Sequence, residues 1–142
     1  FMKRLLPIFK ASFFVPLFGD GSTKFQPVFI DDVSLAINQI INTSITGKSI
    51  YELAGPRIYS YKEFFNHISN FLNKTRVLVP VPMGVMKPMI NIAEKTPISP
   101  LTSEQLMLFE KDNLAVNVDK SLENLDINPQ DTLQVLKNIV VN

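Results

Sequence analysis

The amino-acid sequence predicts an α+β fold in which helices dominate and a few short strands lie between them. In several stretches apolar residues recur at intervals of three and four, which is the spacing of a helix with one buried face. Two of these stretches follow a hydroxyl residue that has Glu or Gln three positions later, a pattern typical of a capped helix start. Short runs rich in Val, Ile and Phe, bounded by Gly and Pro, indicate the strands.

The composition limits the class of protein. The 142 residues are 46% hydrophobic and 19% charged, which suits one globular core, so we predict a single domain over residues 1–142. The 14 basic and 13 acidic residues give a net charge of +1, so a nucleic-acid partner is not expected. The chain has no cysteine and one histidine, which excludes a disulfide, a thiolate nucleophile and a cysteine-built metal site, and we predict no metal.

The chain begins with Phe1 rather than Met, and residues 1–14 lack the layout of a secretory signal. We therefore expect a trimmed or processed part of a longer polypeptide that is not secreted, with no stretch long enough to span a membrane. Residues 1–9 have helical spacing, but Pro7 lacks an amide donor and predicts a short or broken helix. The basic and aromatic residues here favour a packing face for a missing neighbour, with a membrane-surface helix as the alternative.

Two extended segments, residues 15–18 and 24–30, flank Gly19-Asp20-Gly21. The glycines favour a hairpin turn between the two segments. As a dinucleotide fingerprint the pattern lacks its third glycine and the helix that should follow.

A helix is expected next, with Asp31 or Asp32 as its N-terminal cap, which explains these residues more simply than a catalytic carboxylate pair does. Gly47 ends the helical pattern, and Gly47-Lys48-Ser49 lacks the earlier glycine of a phosphate loop. One buried stripe is predicted on this helix, formed by Val33, Ala36, Ile37, Ile40 and Ile41.

Residues 49–54 alternate polar and apolar side chains, as a half-buried strand does, and Gly55-Pro56 ends the pattern. Ser60 and Glu63 then match a capping box. The helix that follows is predicted to be buried through Phe64, Phe65, Ile68, Phe71 and Leu72.

Residues 76–82 are rich in Val but contain two prolines, which predicts an edge strand or a strand end. A helix follows from Gly84, and Thr102 with Gln105 forms a second capping-box pattern. Asn128 and Pro129 are a suitable cap and first-turn pair for the last helix. The predicted inward residues are Met86, Met89, Ile90 and Ala93 in the first of these helices, Leu106 and Phe109 in the second, and Leu133, Leu136, Ile139 and Val140 in the last.

A search for catalytic groups finds no convincing set. His67 is the one imidazole, and because the sequence places no serine or carboxylate partner beside it, a structural role is favoured. Tyr59 and Tyr61 lie near Lys62, but their spacing does not put a tyrosine–lysine pair on one helical face, so we interpret them as surface and cap residues. We predict no catalytic residue in this chain.

Three stretches together resemble one family. Residues 23–33, TKFQPVFIDDV, and residues 47–56, GKSIYELAGP, resemble the C-terminal half of extended and atypical short-chain dehydrogenases. Residues 101–105 with Lys111-Asp112-Asn113 narrow the resemblance to the branch of the nucleotide-binding accessory subunit of respiratory complex I. That branch includes bacterial homologues named NAD-dependent epimerase/dehydratase or NADH-ubiquinone oxidoreductase subunit. The resemblance spans nearly the whole chain.

This resemblance implies the helix-rich, substrate-side C-terminal region of an extended short-chain dehydrogenase. In such proteins the Rossmann half, with the glycine fingerprint and the catalytic tyrosine and lysine, lies upstream and is absent here. NAD or NADP is implied for the whole protein and no cofactor for this chain alone. Gln26, Pro27, Val28 and Phe29 are then expected to line the cofactor cleft. The implied partners are the Rossmann half and respiratory-complex subunits, and exposed apolar faces are expected to favour self-association.

Two alternatives stay open. The chain is an assembly domain that docks a respiratory complex without turnover, as the basic, aromatic first segment and residues 83–89 suggest, or it comes from a nucleoside-diphosphate-sugar epimerase or dehydratase. Related epimerases carry an arginine shortly before the segment matching residues 28–33, where this chain has Phe25 and Gln26, so a nucleotide sugar is disfavoured.

Two further expectations come from the resemblance. Asp126 replaces the family's glycine, and Asp tolerates a left-handed backbone better than most residues. The implied location is the cytoplasm or the mitochondrial matrix side, peripheral to the inner membrane.

Overall fold

The computed structural model describes residues 2–43, 49–95, 102–116 and 121–141. Helices dominate this part of the chain and the strands are short, which confirms the predicted α+β class. Strands β1 and β4 form one two-stranded sheet, and β2 and β3 form another. The elements are α1 (Met2–Ala11), β1 (Phe14–Phe18), β2 (Lys24–Phe25), α2 (Ile30–Asn42), β3 (Tyr59–Ser60), α3 (Tyr61–Phe71), β4 (Val77–Val81), α4 (Met83–Ala93), α5 (Ser103–Leu106), two 3-10 turns (Met107–Phe109 and Glu123–Leu125) and α6 (Thr132–Val141).

The chain contacts cluster into two compact units. The first comprises described residues within 1–24 and 59–112, and the second comprises described residues within 25–58 and 113–140. Each unit is therefore assembled from two separate stretches of sequence. Whether they behave as the single predicted domain stays a prediction.

A parallel pair of strands organises the first unit. β1 runs parallel to β4, from Phe14 opposite Val77 to Phe18 opposite Val81. Both strands are edges, which is where proline is tolerated in a sheet, and the predicted edge position of residues 76–82 is confirmed. The turn after β1 has positive φ angles at Gly19 and Gly21, but the predicted hairpin is wrong. β1 instead pairs in parallel with β4, about 60 residues further along the chain. A parallel pair needs a long crossover connection, which a tight turn cannot provide.

Aromatic rings fill the core of the first unit. The ring of Phe65 lies edge-on to the ring of Phe9, with centroids 5.2 Å apart. Phe109 lies 3.8 Å from Phe18 and 4.3 Å from Tyr61, centroid to centroid.

Tyr59 and Tyr61 are both buried, so their predicted surface position is wrong. Burial raises the pKa of Tyr61 to about 12, because it disfavours the charged form.

Helix α1 has ten residues, so it is short, as predicted, and Pro7 does not break it. Pro7 lies inside it and is exposed, while Leu5 and Phe9 are buried on the opposite side. Tertiary packing of an apolar face supplies most of a short helix's stability and here outweighs the missing donor. Arg76 Nε donates a 2.7 Å hydrogen bond to the Phe9 carbonyl oxygen, which satisfies one of the free acceptors at the helix end.

Both predicted capping boxes are confirmed. Ser60 Oγ accepts a hydrogen bond from the Glu63 amide at 3.2 Å, and Glu63 Oε2 accepts from the Ser60 amide at 2.9 Å. The same reciprocal pair joins Thr102 and Gln105. The helices bury Phe64, Phe65 and Ile68 of α3, Met86 and Ile90 of α4, and Leu106 and Phe109 after Thr102.

Met89 is exposed, so its predicted inward position is wrong. The core side of α4 is held by Met86 and Ile90, and Met89 falls at the margin of that side, about 60° from Met86 and about 100° from Ile90 around the helix axis. Val85, Met89 and Ile92 instead form an exposed apolar row.

Helix α2 in the second unit begins without an aspartate cap. Its N-cap is Phe29, which makes no side-chain capping bond, so the prediction of Asp31 or Asp32 as the cap is wrong. Asp32 is buried in the first turn and accepts hydrogen bonds from the Gln130 amide at 2.8 Å and from Gln130 Nε2 at 3.1 Å. A partner about a hundred residues away therefore replaces the local capping role.

The inner face of α2 packs on a small apolar cluster. Ala36 is fully buried among Leu122, Leu125 and Ile127, with Val28, Ile40, Tyr51 and Leu53 packed around them. The predicted stripe is only partly right, because Ile37 and Ile41 are 52% and 75% exposed. The cluster therefore covers Ala36 and Ile40 and leaves Ile37 and Ile41 exposed.

Two further sequence predictions for the second unit are wrong. Residues 49–54 do not form a strand, although Tyr51 and Leu53 do contact the apolar cluster. A strand needs a neighbouring ladder, and neither described sheet includes this segment. Gly47, the predicted helix stop, lies outside the described residues, and α2 already ends at Asn42.

The last helix begins at Thr132 rather than beside Asn128 and Pro129. The carboxylate of Asp131 accepts from the Leu133 amide at 2.9 Å, so Asp131 supplies the capping bond instead. Leu133 and Leu136 are buried as predicted, and the side chains of Ile139 and Val140 lie outside the described residues. Asp126 adopts the expected left-handed conformation, with φ 54° and ψ 28°.

The hydrogen bonds of the first capping box, between Ser60 and Glu63, predict that the stability of the fold depends on pH. Hydrogen bonds from the Ser60 amide and hydroxyl lower the pKa of Glu63. This contribution to stability is fully present above the unfolded pKa of about 4.3 and is lost as pH falls through the lower folded value. We expect Glu63→Gln to lower Tm slightly at pH 7, and the difference from the unsubstituted chain to vanish below about pH 3. Thermal unfolding followed by circular dichroism measures it. The control Glu104→Gln removes an exposed first-turn carboxylate outside either box, and an identical pH profile for the two variants would contradict the role of Glu63.

Candidate functional site

A cavity of about 350 Å³ lies within the second unit. Its size falls in the range of pockets that hold small molecules. The lining comes from four separate stretches of the chain and is formed by Gln26, Glu52, Ala54, Gly55, Ala115, Ser121, Glu123 and Asn124.

The side chain of Gln26 links the stretches that contain Gly55 and Ala115. Its Nε2 donates to the Gly55 carbonyl oxygen at 2.8 Å, and its Oε1 accepts from the Ala115 amide at 3.3 Å. Its own backbone amide donates to the Asn113 carbonyl oxygen at 3.1 Å. Both ends of the amide are therefore used, and the side chain is fixed at the cavity wall.

Gly55 allows its backbone to lie close to the backbone of Pro27, and the arrangement of the cavity wall depends on this contact. A Cβ atom at this position would lie 2.0 Å from the Pro27 carbonyl oxygen. Any side chain would force the two backbones apart, because real Cβ contacts are never so short. The Pro27 carbonyl oxygen also accepts a 3.1 Å hydrogen bond from Thr132 Oγ1. The start of α6 is thereby tied to the same point.

The four residues expected at a cofactor cleft occupy different places. Gln26 lines the cavity, whereas Pro27, Val28 and Phe29 are not among its lining residues. Val28 packs on the apolar cluster, and the Phe29 carbonyl oxygen accepts from the Val33 amide at 3.3 Å as α2 begins. Pro27 and Phe29 are half-buried.

Hydrogen-bond acceptors dominate the polar part of the cavity. Glu52 Oε2 accepts from the Val116 amide at 2.6 Å. Ser121 Oγ donates to Glu123 Oε2 at 2.7 Å, and this bond lowers the pKa of Glu123. Ser121 Oγ also lies 2.9 Å from Asn124 Oδ1. The described lining contains no basic side chain, so it suits hydroxyl or amide donors better than phosphate groups.

Sequence reasoning missed Glu52, Ser121, Glu123 and Asn124. Glu52 was noted only as the polar partner in an alternating segment, and residues 121–124 carry no motif. Tertiary folding alone brings these two stretches to one cavity. The available signal was the alternation at residues 49–54, because Tyr51 and Leu53 contact the cluster while Glu52 and Ala54 line the cavity.

The other candidate groups lie elsewhere. His67 is exposed on α3, where its ring lies 6.2 Å from that of Tyr59 and 6.1 Å from that of Phe71. In the described ranges, no cluster of three or more potential metal-ligating side chains occurs. No described helix is long and apolar enough to cross a membrane.

The fold recurs in solved reductases. The triphenylmethane reductase of Citrobacter sp. matches with a TM-score of 0.71 over 96% of this chain and 47% of its own, at 17% identity. A quinone oxidoreductase of Escherichia coli, NADPH-dependent and solved with NADPH, gives 0.72 over 100% of this chain and 51% of its own, at 13% identity. The chain thus shares its α+β fold with about half of each of these two reductase chains.

Two curated relatives share sequence with the chain. Subunit 9 of the NADH dehydrogenase [ubiquinone] 1 alpha subcomplex, mitochondrial, from Arabidopsis thaliana, is 33% identical over 106 residues, covering 70% of this chain and 26% of that protein. The mitochondrial NADH-ubiquinone oxidoreductase 40 kDa subunit of Neurospora crassa is 28% identical over 109 residues, covering 76% of this chain and 29% of that protein. The chain therefore spans less than a third of the length of these relatives. No family model matches the sequence.

The chain is related to these accessory subunits of respiratory complex I, as the sequence resemblance predicted.

We call the two hydrogen bonds of the Gln26 side chain, to Gly55 and Ala115, the Gln26 clamp. They predict how the stability of a Gln26→Glu variant depends on pH. Gln26→Glu replaces the donor to Gly55 with a second acceptor, so we expect a loss of about 1–3 kcal/mol at pH 7. A protonated carboxylic acid regains a donor, so the folded pKa of the new group is raised. The loss therefore shrinks as pH falls through that raised value and is smallest below the unfolded pKa of about 4.3. Urea unfolding at pH 7 and pH 3.5 measures both effects. Gln105→Glu is the matched control, because Gln105 Oε1 serves its capping box as an acceptor. Equal effects of the two variants at pH 7 would exclude the clamp.

The close approach at Gly55 makes a second prediction. Gly55→Ala should cost about 1–3 kcal/mol, because backbone atoms must move to admit the methyl group. Gly84→Ala is the control, since nothing lies within 4 Å of its Cβ position, and the substitution inside a helix should stabilise by about 0.5–1 kcal/mol. Denaturant midpoints of the two variants should therefore shift in opposite directions. A neutral Gly55→Ala would show that residues 27 and 55 are not held this close in solution.

Proposed function

We propose that this chain serves as the substrate-side part of an NAD(P)-binding protein, where it closes over the cofactor and substrate cleft. The observation that carries the proposal is the match of 96–100% of the chain to about half of each solved reductase. One of those reductases was solved with NADPH. In this scheme the chain itself performs no catalytic step, and NAD or NADP is the cofactor of the whole protein.

The chemistry of the cavity fits part of a dinucleotide. Its acceptors, on Glu52, Ser121 and Glu123, suit the hydroxyls of a ribose or the carboxamide of a nicotinamide, which donate hydrogen bonds. The diphosphate needs basic side chains or helix N-termini, which this lining does not offer. Those contacts belong to the dinucleotide-binding half, which would also supply the redox chemistry through its bound nicotinamide.

Gln26, Pro27, Val28 and Phe29 are assigned to the cleft wall in this proposal. Gln26 is the member whose side chain lines the cavity. Pro27 supports the assignment indirectly, because its contact with Gly55 holds the wall in place. Val28 and Phe29 connect the wall to the apolar cluster and to α2. A ligand would then meet a rigid rather than an adaptable surface.

A second candidate function is assembly into a respiratory complex without turnover. Both curated relatives are named as subunits of the NADH-oxidising complex of mitochondria. The exposed row of Val85, Met89 and Ile92 on α4 supports a docking role, since apolar patches on a surface mark contact sites. On this candidate the chain works on the matrix side, peripheral to the inner membrane. A nucleotide-sugar substrate has less support, because Gln26 is engaged with backbone groups where related epimerases carry arginine.

Titration calorimetry with NADH and NADPH tests the first proposal. One sample is the chain alone, and the other is a graft, in which the chain replaces the matched region of the Arabidopsis relative. We expect no binding to the chain and micromolar binding to the graft, weakened about tenfold by Gln26→Ala through loss of the fixed wall. Gln39→Ala, at an exposed position of α2 outside the cavity lining, should leave the affinity unchanged. Tight binding to the chain alone contradicts the assigned site, and a folded graft that binds neither nucleotide favours the assembly function.

A further inference from the structure

Helix α2 has an apolar face that its own unit does not cover. Ile30, Ile37 and Ile41 are 67%, 52% and 75% exposed, and they lie on one line along the helix at intervals of seven and four residues. This line is adjacent to the buried side of Ala36 and Ile40, so the apolar arc continues from the core onto the surface. We call the line of Ile30, Ser34, Ile37 and Ile41 the outer stripe.

The polar member of the outer stripe does not oppose burial. Ser34 Oγ donates a 3.0 Å hydrogen bond to the Ile30 carbonyl oxygen of the same helix. Its hydroxyl donor is therefore satisfied without water. The hydrated side of α2 is a different one, where Asn42 Nδ2 donates to Asn38 Oδ1 at 3.1 Å. The outer stripe carries no charged residue.

The hydrated side contains one large apolar residue, Leu35, which is 53% exposed. Its exposure equals that of Ile37, and both lie in the middle of the same helix. The two positions differ in what surrounds them, since Leu35 lies among polar residues and Ile37 lies on the continuous arc. A helix that is apolar beyond its covered face is typical of an element buried on more than one side.

The length of the solved neighbours indicates what covers the outer stripe. Nearly all of this chain matches only 47% and 51% of the two reductase chains, so in each of them a second part of similar length is covalently attached. An attached part is present at an effective concentration of millimolar order. A second copy of this chain has no such advantage at ordinary protein concentrations.

We propose that the outer stripe is the docking surface for the dinucleotide-binding half of the protein. The occupant presents an apolar surface, and it buries Ile37 and Ile41 while leaving Leu35 in water. The inference rests on the proposed function, because it names the partner that the closed cleft requires. It assigns to α2 a role in joining the halves in addition to its role in the core of the second unit.

Thiol labelling tests the proposal, since the chain has no cysteine of its own. Ile37→Cys and Leu35→Cys are made in the chain alone and in the graft, without nucleotide, and each position is followed by mass spectrometry of its peptide during alkylation. In the chain alone we expect rates that agree within about threefold, because the exposures match. In the graft, labelling at position 37 should slow by about tenfold or more, while labelling at position 35 should not change.

Each other outcome overturns the proposal. Equal labelling of the two positions in the graft, or a graft that does not fold around the chain, shows that the outer stripe does not receive the second half. Protection of position 37 in the chain alone, increasing with its concentration, assigns the stripe to a second copy. Nucleotide affinity of the same graft is measured separately. If position 37 is protected in the graft but the graft binds neither NADH nor NADPH, the docking surface is supported and the proposed cofactor function is excluded.

Discussion

The arrangement of the second unit depends on the side-chain amide of Gln26. Its two ends hold the Gly55 carbonyl and the Ala115 amide, and its backbone holds Asn113. Apart from a single parallel bridge between Phe25 and Asn113, these segments share no described sheet, so the side chain of Gln26 also fixes their spacing. A half-buried amide with both functions satisfied has one orientation. The cavity wall is consequently a product of hydrogen bonding as much as of apolar packing.

Local chemistry was readable from the sequence. Ser60 with Glu63, and Thr102 with Gln105, define their helix starts through atoms three residues apart, and both starts were predicted correctly. The left-handed conformation of Asp126 agrees with the glycine that the resembling family carries there, because Asp tolerates this conformation better than most residues. The class of fold and the resemblance to complex I subunits followed from such local patterns taken in order.

Long-range pairing was not readable. The sequence around Asp32 matches a local helix cap, but the carboxylate of Asp32 accepts hydrogen bonds from Gln130 instead. The glycine turn matches a hairpin in sequence, although β1 pairs with β4. Periodicity identified the apolar side of α2, but it could not say how much of that side its own unit would cover. For the site, Gln26 came from the resemblance. Glu52 and the stretch of residues 121–124 had no sequence signal, because only the folded chain brings them together.

The division of each unit between two stretches of sequence has a consequence for synthesis on the ribosome. The first unit cannot pair β1 until residue 81 has emerged, and it cannot close its aromatic core until Phe109 has done so. By then residues 25–58 have already been exposed, and they must wait for residues 113–136 to cover them. Contacts so distant in sequence form slowly. Nascent chains should therefore stay open to chaperones and proteases until residues as far as about 136 have emerged, and both units should fold late and almost together.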